Sequence, residues 1–243
     1  MQFTSEQRFD GVIEREFTLG EIPGILWTPA STSAPTPLIL LGPPPLGLRK
    51  AYSRLVGRAR QAMAAGCSAI TIELPGNGDR PRIPVVEQAV ADLRRALAAG
   101  EPVTDDIVDR LILPLLDPAV SEWRATLDAV LALPEIGGPV GYSGGVISIG
   151  VRLAVVEPRI EAAVLFAGSY VPRAIFEEAR QVTIPLHVLL QWDDEGNDRQ
   201  MALDLFDALG SKEKTLHANM GGHTGVPQYA GEGADRFFTR HLK

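Results

Sequence analysis

The sequence predicts an α/β fold, a mostly parallel central sheet flanked by helices. Three observations carry this. Short apolar runs alternate with amphipathic helical patterns over most of the 243 residues. The runs are apolar on both faces, as strands are when helices cover both sides of a sheet. The composition, 45% hydrophobic and 22% charged, is that of a globular chain long enough to bury a large core.

Taken in order, the segment 15–30, "REFTLGEIPGILWTPA", reads as an antiparallel hairpin at one sheet edge. "TPLILLG" (36–42) is a buried strand, and 50–66 is a helix closed by a glycine. "SAITIELPG" (68–76) is the next strand. Residues 81–119 then interrupt the alternation with two helical patterns, 86–98 and 104–116, about twice the length of a simple crossover. They are expected to form a small helical cap-like insertion within one domain spanning 1–243. A helix over 120–137 follows, with Trp123, Leu127, Val130 and Leu131 on its apolar side. A very short strand (138–143), a helix (145–158) and strands at 160–168 and 184–192 come next. A helix (199–211), a last strand (214–219) and a closing helix (233–243) complete the chain.

The net charge of −7 argues against nucleic acid and anionic membrane surfaces, which require clustered Lys and Arg. The single cysteine, Cys67, permits no intramolecular disulfide and reads as a small buried apolar side chain. The polar opening "MQFTSEQRFDGVIEREF" lacks the apolar core of a secretory signal, and no run approaches a membrane span. A cytoplasmic protein is expected.

The stretch "GPVGYSGGVISIG" (138–150) places a serine among glycines where a strand gives way to a helix. Sites in open parallel sheets form at the C-terminal ends of strands. Gly141-Tyr142-Ser143-Gly144-Gly145 matches G-x-S-x-G, a turn that lifts a nucleophilic serine out of the fold. The serine is expected in a strained backbone conformation, with glycines where a Cβ would collide. The N–H of Gly144 is the expected oxyanion donor. Ser148 lies inside the helix, where a hydroxyl usually bonds back to a carbonyl.

An activated serine needs a base, and the base an orienting acid, in the order Ser, acid, His. Of four histidines, His187 and His217 fall on strands and His241 in the last helix. His223 falls in the glycine-rich "NMGGHTGVPQ" after the last strand and is the expected base. The acid belongs after "VLLQW", where Asp194 is the first candidate and Asp193 the second. The interval from 143 to 194 holds two strand–helix units, and that from 194 to 223 holds one helix and one strand.

With these residues in place, the chain resembles the α/β-hydrolase family, and within it the dienelactone-hydrolase-like and carboxylesterase-like branch. "LILLGPPPLGLRK", "AITIELPGNGDRP", "GYSGG", "LLQWDDEGND" and "GGHTGVP" carry the likeness along most of the chain. The resemblance implies the α/β-hydrolase fold with about eight strands, a Ser143–His223–Asp194 triad, no metal and no organic cofactor. It also implies a carboxylesterase-like serine hydrolase whose partner is a small-molecule ester; a homodimer stays open. The chain departs from the family at one point. The loop that usually supplies a second oxyanion N–H is here Gly42-Pro43-Pro44-Pro45-Leu46-Gly47, and proline has no N–H. The next donor is expected at Leu46, with Gly47, or the side chains of Tyr142 or Arg49, as alternatives. Substrate contacts are expected from Pro45, Tyr142, Phe166, Tyr170, Leu115 and Val226, making an apolar pocket. The rival expectation is a non-catalytic or acyl-transferring protein on the same scaffold.

Overall fold

The computed structural model describes residues 1–31, 34–223 and 226–243. Among these residues nine strands form one sheet in the order β1-β2-β3-β5-β4-β6-β7-β8-β9. Three antiparallel strands open the chain, β1 (Gln2–Phe9), β2 (Val12–Leu19) and β3 (Ile22–Pro29). The hairpin expected over 15–30 is β2 and β3; β1 is an additional, mostly exposed edge strand, polar in sequence and so without a strand signal. Strands β4 (Thr36–Gly42), β5 (Ser68–Ile72), β6 (Ile136–Gly144), β7 (Ile160–Phe166), β8 (Leu186–Gln191) and β9 (Lys214–Asn219) run parallel.

Alternation along the parallel strands divides the core into two layers. Leu38 and Leu40 face one cluster, with Val140, Tyr142, Ala163 and Leu165. Ile39 and Leu41 face the other, with Ala162 and Val164. The first is covered by α3 (Asp105–Val130), α4 (Ile147–Val156), α5 (Arg173–Ala179) and α6 (Arg199–Ala208). The second is covered by α1 (Leu48–Ala64) and α7 (Gln228–Leu242).

Between β5 and β6 lie α2 (Pro84–Ala99) and α3. The sequence suggests a break between 116 and 120, yet α3 runs unbroken through Pro114 and Pro118 for 26 residues. Each proline removes one backbone donor, but the apolar row Ile112, Leu115, Leu116, Ala119, Val120, Trp123 and Leu127 is buried along the whole length. That burial holds the helix together across both sites. The end drawn at 119 for the insertion therefore falls inside a helix. Two other boundaries move: α5 has no counterpart in the sequence reading, and α7 starts at Gln228 rather than 233.

Candidate active site

The order β5-β4-β6 means that the chain leaves β4 in one direction for β5 and later returns on its other side as β6. The carboxyl ends of β4 and β6 therefore flank a topological switch point, where open α/β sheets bind ligands. Ser143 stands at the end of β6, paired with Leu41 of β4 and Val164 of β7. The proline loop 43–47 leaves β4 beside it.

The serine itself is not strained. Among the described non-glycine residues only Asp10 has a positive φ. Gly144 (φ 68°) and Gly145 (φ 72°) take the left-handed turn instead, so the backbone reverses one residue later than expected. Both glycines also answer to packing. A Cβ on Gly145 would lie 2.8 Å from Gly42 Cα, and one on Gly144 would lie 2.7 Å from an Arg58 nitrogen. Gly141 lies against Phe238 of α7, whose ring would meet a Cβ at 2.7 Å.

Asp194 sits in the turn after β8. Its carboxylate is 2% exposed. One oxygen accepts the Gly196 N–H at 3.0 Å, and the other lies 2.7 Å from His223 Nδ1. Asp193 and Glu195 beside it are exposed, and Asp198 caps α6 by accepting the Met201 N–H at 3.1 Å. One member of the acid cluster, Asp194, is therefore buried on the histidine. Phe166 packs edge-on to the His223 ring, 5.6 Å between centroids. Buried Gln191, at the end of β8, donates to Gly222 O at 3.1 Å and anchors the histidine loop from below. Thr224 and Gly225 of the quoted "GGHTGVP" lie outside the described residues.

Ser143 and His223 line the same open cleft, with Gly144, Pro45, Leu46, Phe166, Tyr170, Leu115 and Val226 in its walls. No hydrogen bond joins the Ser143 hydroxyl to His223 among the described residues; such bonds often tighten only when substrate is bound. Val86, Val90, Leu111 and Pro118 bring apolar surface from α2 and α3. Half-buried Tyr170 has its pKa raised, by desolvation first and then by the Asp198 and Asp194 charges. Tyr142 is not in the cleft. Residues alternate along β6, so the neighbour of Ser143 points to the opposite face. There it is 1% exposed, packed edge-on against Trp123 at 6.3 Å.

Leu46 does not present its N–H to the site. The N–H donates to Pro44 O at 2.7 Å, a tight turn the three prolines impose on their own loop. The Leu48 N–H is also taken, by Glu73 Oε2 at 2.9 Å. The loop's other backbone donor is Gly47 (φ 85°), pressed against the Gly78 backbone. Glu73 is 6% exposed. Burial raises its pKa, against the lowering effect of the Leu48 N–H and the Arg80 charge. The sequence reading missed Glu73, Gln191 and Arg58, each of which acts on the site through backbone that is distant in sequence. No group of three or more His, Cys, Asp or Glu converges as metal ligands among the described residues. No helix of the described residues is long and apolar enough to cross a membrane.

No protein-family model matches the chain, and no curated protein matches it. Solved structures do. A cold-adapted esterase from an Arctic intertidal metagenomic library is 29% identical over all of both chains, with a TM-score of 0.77. The chain has the α/β-hydrolase fold. An esterase of Pyrococcus furiosus shares that fold at 10% identity, over 95% of this chain and 92% of its own, TM-score 0.66. So does a dienelactone hydrolase structure from Klebsiella pneumoniae, at 15% identity over 94% and 98%, TM-score 0.67. The nine-stranded, mostly parallel sheet and its flanking helices thus have the α/β-hydrolase fold that the motifs imply.

Proposed function

We propose that the chain is a serine hydrolase acting on a small to medium hydrophobic carboxylic ester. One observation carries the reading: the bond of 2.7 Å from His223 Nδ1 to the buried Asp194 carboxylate, in a cleft that Ser143 also lines. Asp194 holds the Nδ1–H tautomer, which leaves Nε2 free to act as base. Nε2 takes the Ser143 proton while the oxygen attacks the ester carbonyl. The resulting oxyanion is held by the Gly144 N–H and, since Leu46 is engaged elsewhere, by the Gly47 N–H. His223 then gives its proton to the leaving alcohol, and an acyl-serine remains. Water, activated by the same base, releases the acid and restores the serine. The esterase at 29% identity supports this reading. The apolar walls from α2 and α3 favour an uncharged acyl chain and give residues 81–119 the role of a cap.

A second reading, a scaffold without turnover, rests on the proline loop. It has no N–H at 43, 44 or 45, and its first donor is turned inward. Loss of one oxyanion donor costs about 10²–10³ in rate. Treatment with a fluorophosphonate probe, followed by peptide mapping, separates the two. Stoichiometric labelling at Ser143, absent in Ser143→Ala, is expected together with hydrolysis of a short-chain nitrophenyl ester. An unlabelled wild-type protein, beside a control esterase that reacts, would establish the scaffold.

A further inference from the structure

The mechanism above leaves Arg58 unused. Arg58, on α1, lies beneath the turn that carries Ser143. It makes no ion pair among the described residues; its guanidinium faces backbone. Nη1 donates to Gly42 O at 2.9 Å, and Nη2 donates to Ser143 O. These two carbonyls end the two strands that flank the switch point, and Gly42 pairs with Gly144 in the β4–β6 ladder. A Cβ at 144 would stand 2.7 Å from Nη2 and 3.1 Å from Cζ, so the glycine after the serine is also what admits the guanidinium. Arg58 is half-buried and has no carboxylate partner among the described residues; desolvation pulls its pKa down to about 10, which still leaves it charged at neutral pH. A cation kept in such a place is costly unless its hydrogen bonds do something an apolar side chain would not.

The geometry of the peptide unit says what they do. A trans peptide is planar, and its C=O and N–H point in opposite directions. Holding the Ser143 carbonyl against α1 turns the N–H of the same peptide, that of Gly144, to the other side. The second hydrogen bond holds the Gly42 carbonyl, where the proline loop begins, against the same planar group. Its far end is held by the Glu73 carboxylate on the Leu48 N–H. Three prolines make the segment between stiff. We infer that Arg58 is the positioning residue of the oxyanion site: one guanidinium fixes the Ser143–Gly144 peptide and the base of the proline loop in a single register. This rests on the serine hydrolase reading of Ser143 and Gly144. Arginine suits the task because its planar fork reaches two carbonyls at once, whereas a lysine ammonium has neither the reach nor the fixed geometry.

The test compares wild type with Arg58→Met and Arg58→Lys on a nitrophenyl acetate substrate, with thermal melts of each. Donors that act only on the developing oxyanion should appear in kcat and not in KM. Arg58→Met is expected to lose about 10–100-fold in kcat, less than the loss of a whole donor, with KM within threefold. Fluorophosphonate labelling of Ser143 should slow in parallel. Millimolar guanidinium, far below denaturing concentrations, should restore part of the rate in Arg58→Met and none in wild type. Arg58→Lys keeps the charge and should stay folded, yet still lose most of the rate. Wild-type kcat in a folded Arg58→Met or Arg58→Lys would overturn the inference. So would a loss that only tracks the melting temperature or falls on KM, with no guanidinium rescue. Failure of the underlying reading looks different: wild type itself would then neither turn over nor label.

Discussion

Asp193 and Asp194 are neighbours in sequence with opposite surroundings. Asp193 is exposed, whereas the Asp194 carboxylate is buried between the Gly196 N–H and His223 Nδ1. Asp194→Asn should therefore lower kcat by about 10³–10⁴, the loss seen when the histidine is held in the wrong tautomer. Asp193→Asn should stay within about twofold of wild type, because a substitution that touches no partner rarely matters. Steady-state kinetics on one ester checks both. Gly145→Ala tests the turn. Its Cβ would stand 2.8 Å from Gly42 Cα in a backbone with φ 72°, so clash and strain add. A loss of roughly 2–4 kcal/mol in thermal stability is expected. The pairing of serine and histidine types with loop ends was legible in the sequence, because those loops follow strands. That Leu46 N–H would turn inward was not: the outcome depends on how a loop with three fixed φ angles closes on itself.

At the scale of elements, α3 is the informative case. The sequence carries two helical patterns, 104–116 with Pro114 inside it and 120–137, with Pro118 between them, and the protein has one helix. Pro118 is exposed toward the cleft and not packed in the core, so its missing N–H costs the helix a bond that no core packing offsets locally. Pro118→Ala should raise stability by roughly 1–2 kcal/mol, after allowance for the freer unfolded chain, read as a higher Tm. The end of α4 depends on charge. The Glu157 carboxylate, 2% exposed, accepts from the Arg159 side chain at 2.7 Å and its backbone N–H at 3.1 Å. The Arg159 hydrogen bonds hold its pKa below the usual carboxylate range. The ionised form is therefore the one that stabilises the fold, fully at neutral pH, and that contribution is lost as pH falls through the depressed value. Glu157→Gln should cost roughly 1–3 kcal/mol at neutral pH. Its Tm should then fall less steeply than wild type between neutral and acid conditions.

At the scale of the whole molecule, the site is a consequence of two layers packed on one sheet. Trp123 of α3 is fully buried against Tyr142, the residue before Ser143 on β6. On the other face Phe238 of α7 fills the space that Gly141 leaves. The strand that carries Ser143 is thus clamped from both sides. Trp123→Ala should cost about 3–5 kcal/mol as a large-to-small change in a closed core. Activity per folded molecule should fall as well, since the strand loses one of its supports. Chemical denaturation, with labelling of Ser143 in the folded fraction, measures both effects.

The sequence alone determined the α/β class, six of the parallel strands, and the positions of Ser143, His223 and the acid cluster. Each is written locally: apolar runs of strand length, glycine-rich turns, and chemically able residues at strand ends. The tertiary structure decided which acid meets the histidine, on which face Tyr142 falls, whether α3 breaks at its prolines, and which loop N–H groups remain free. It also brought Arg58 from α1 to two carbonyls on different strands. These outcomes depend on contacts between segments far apart in the chain, whose energies no local pattern records. Burial then selects among candidates that the sequence leaves equivalent.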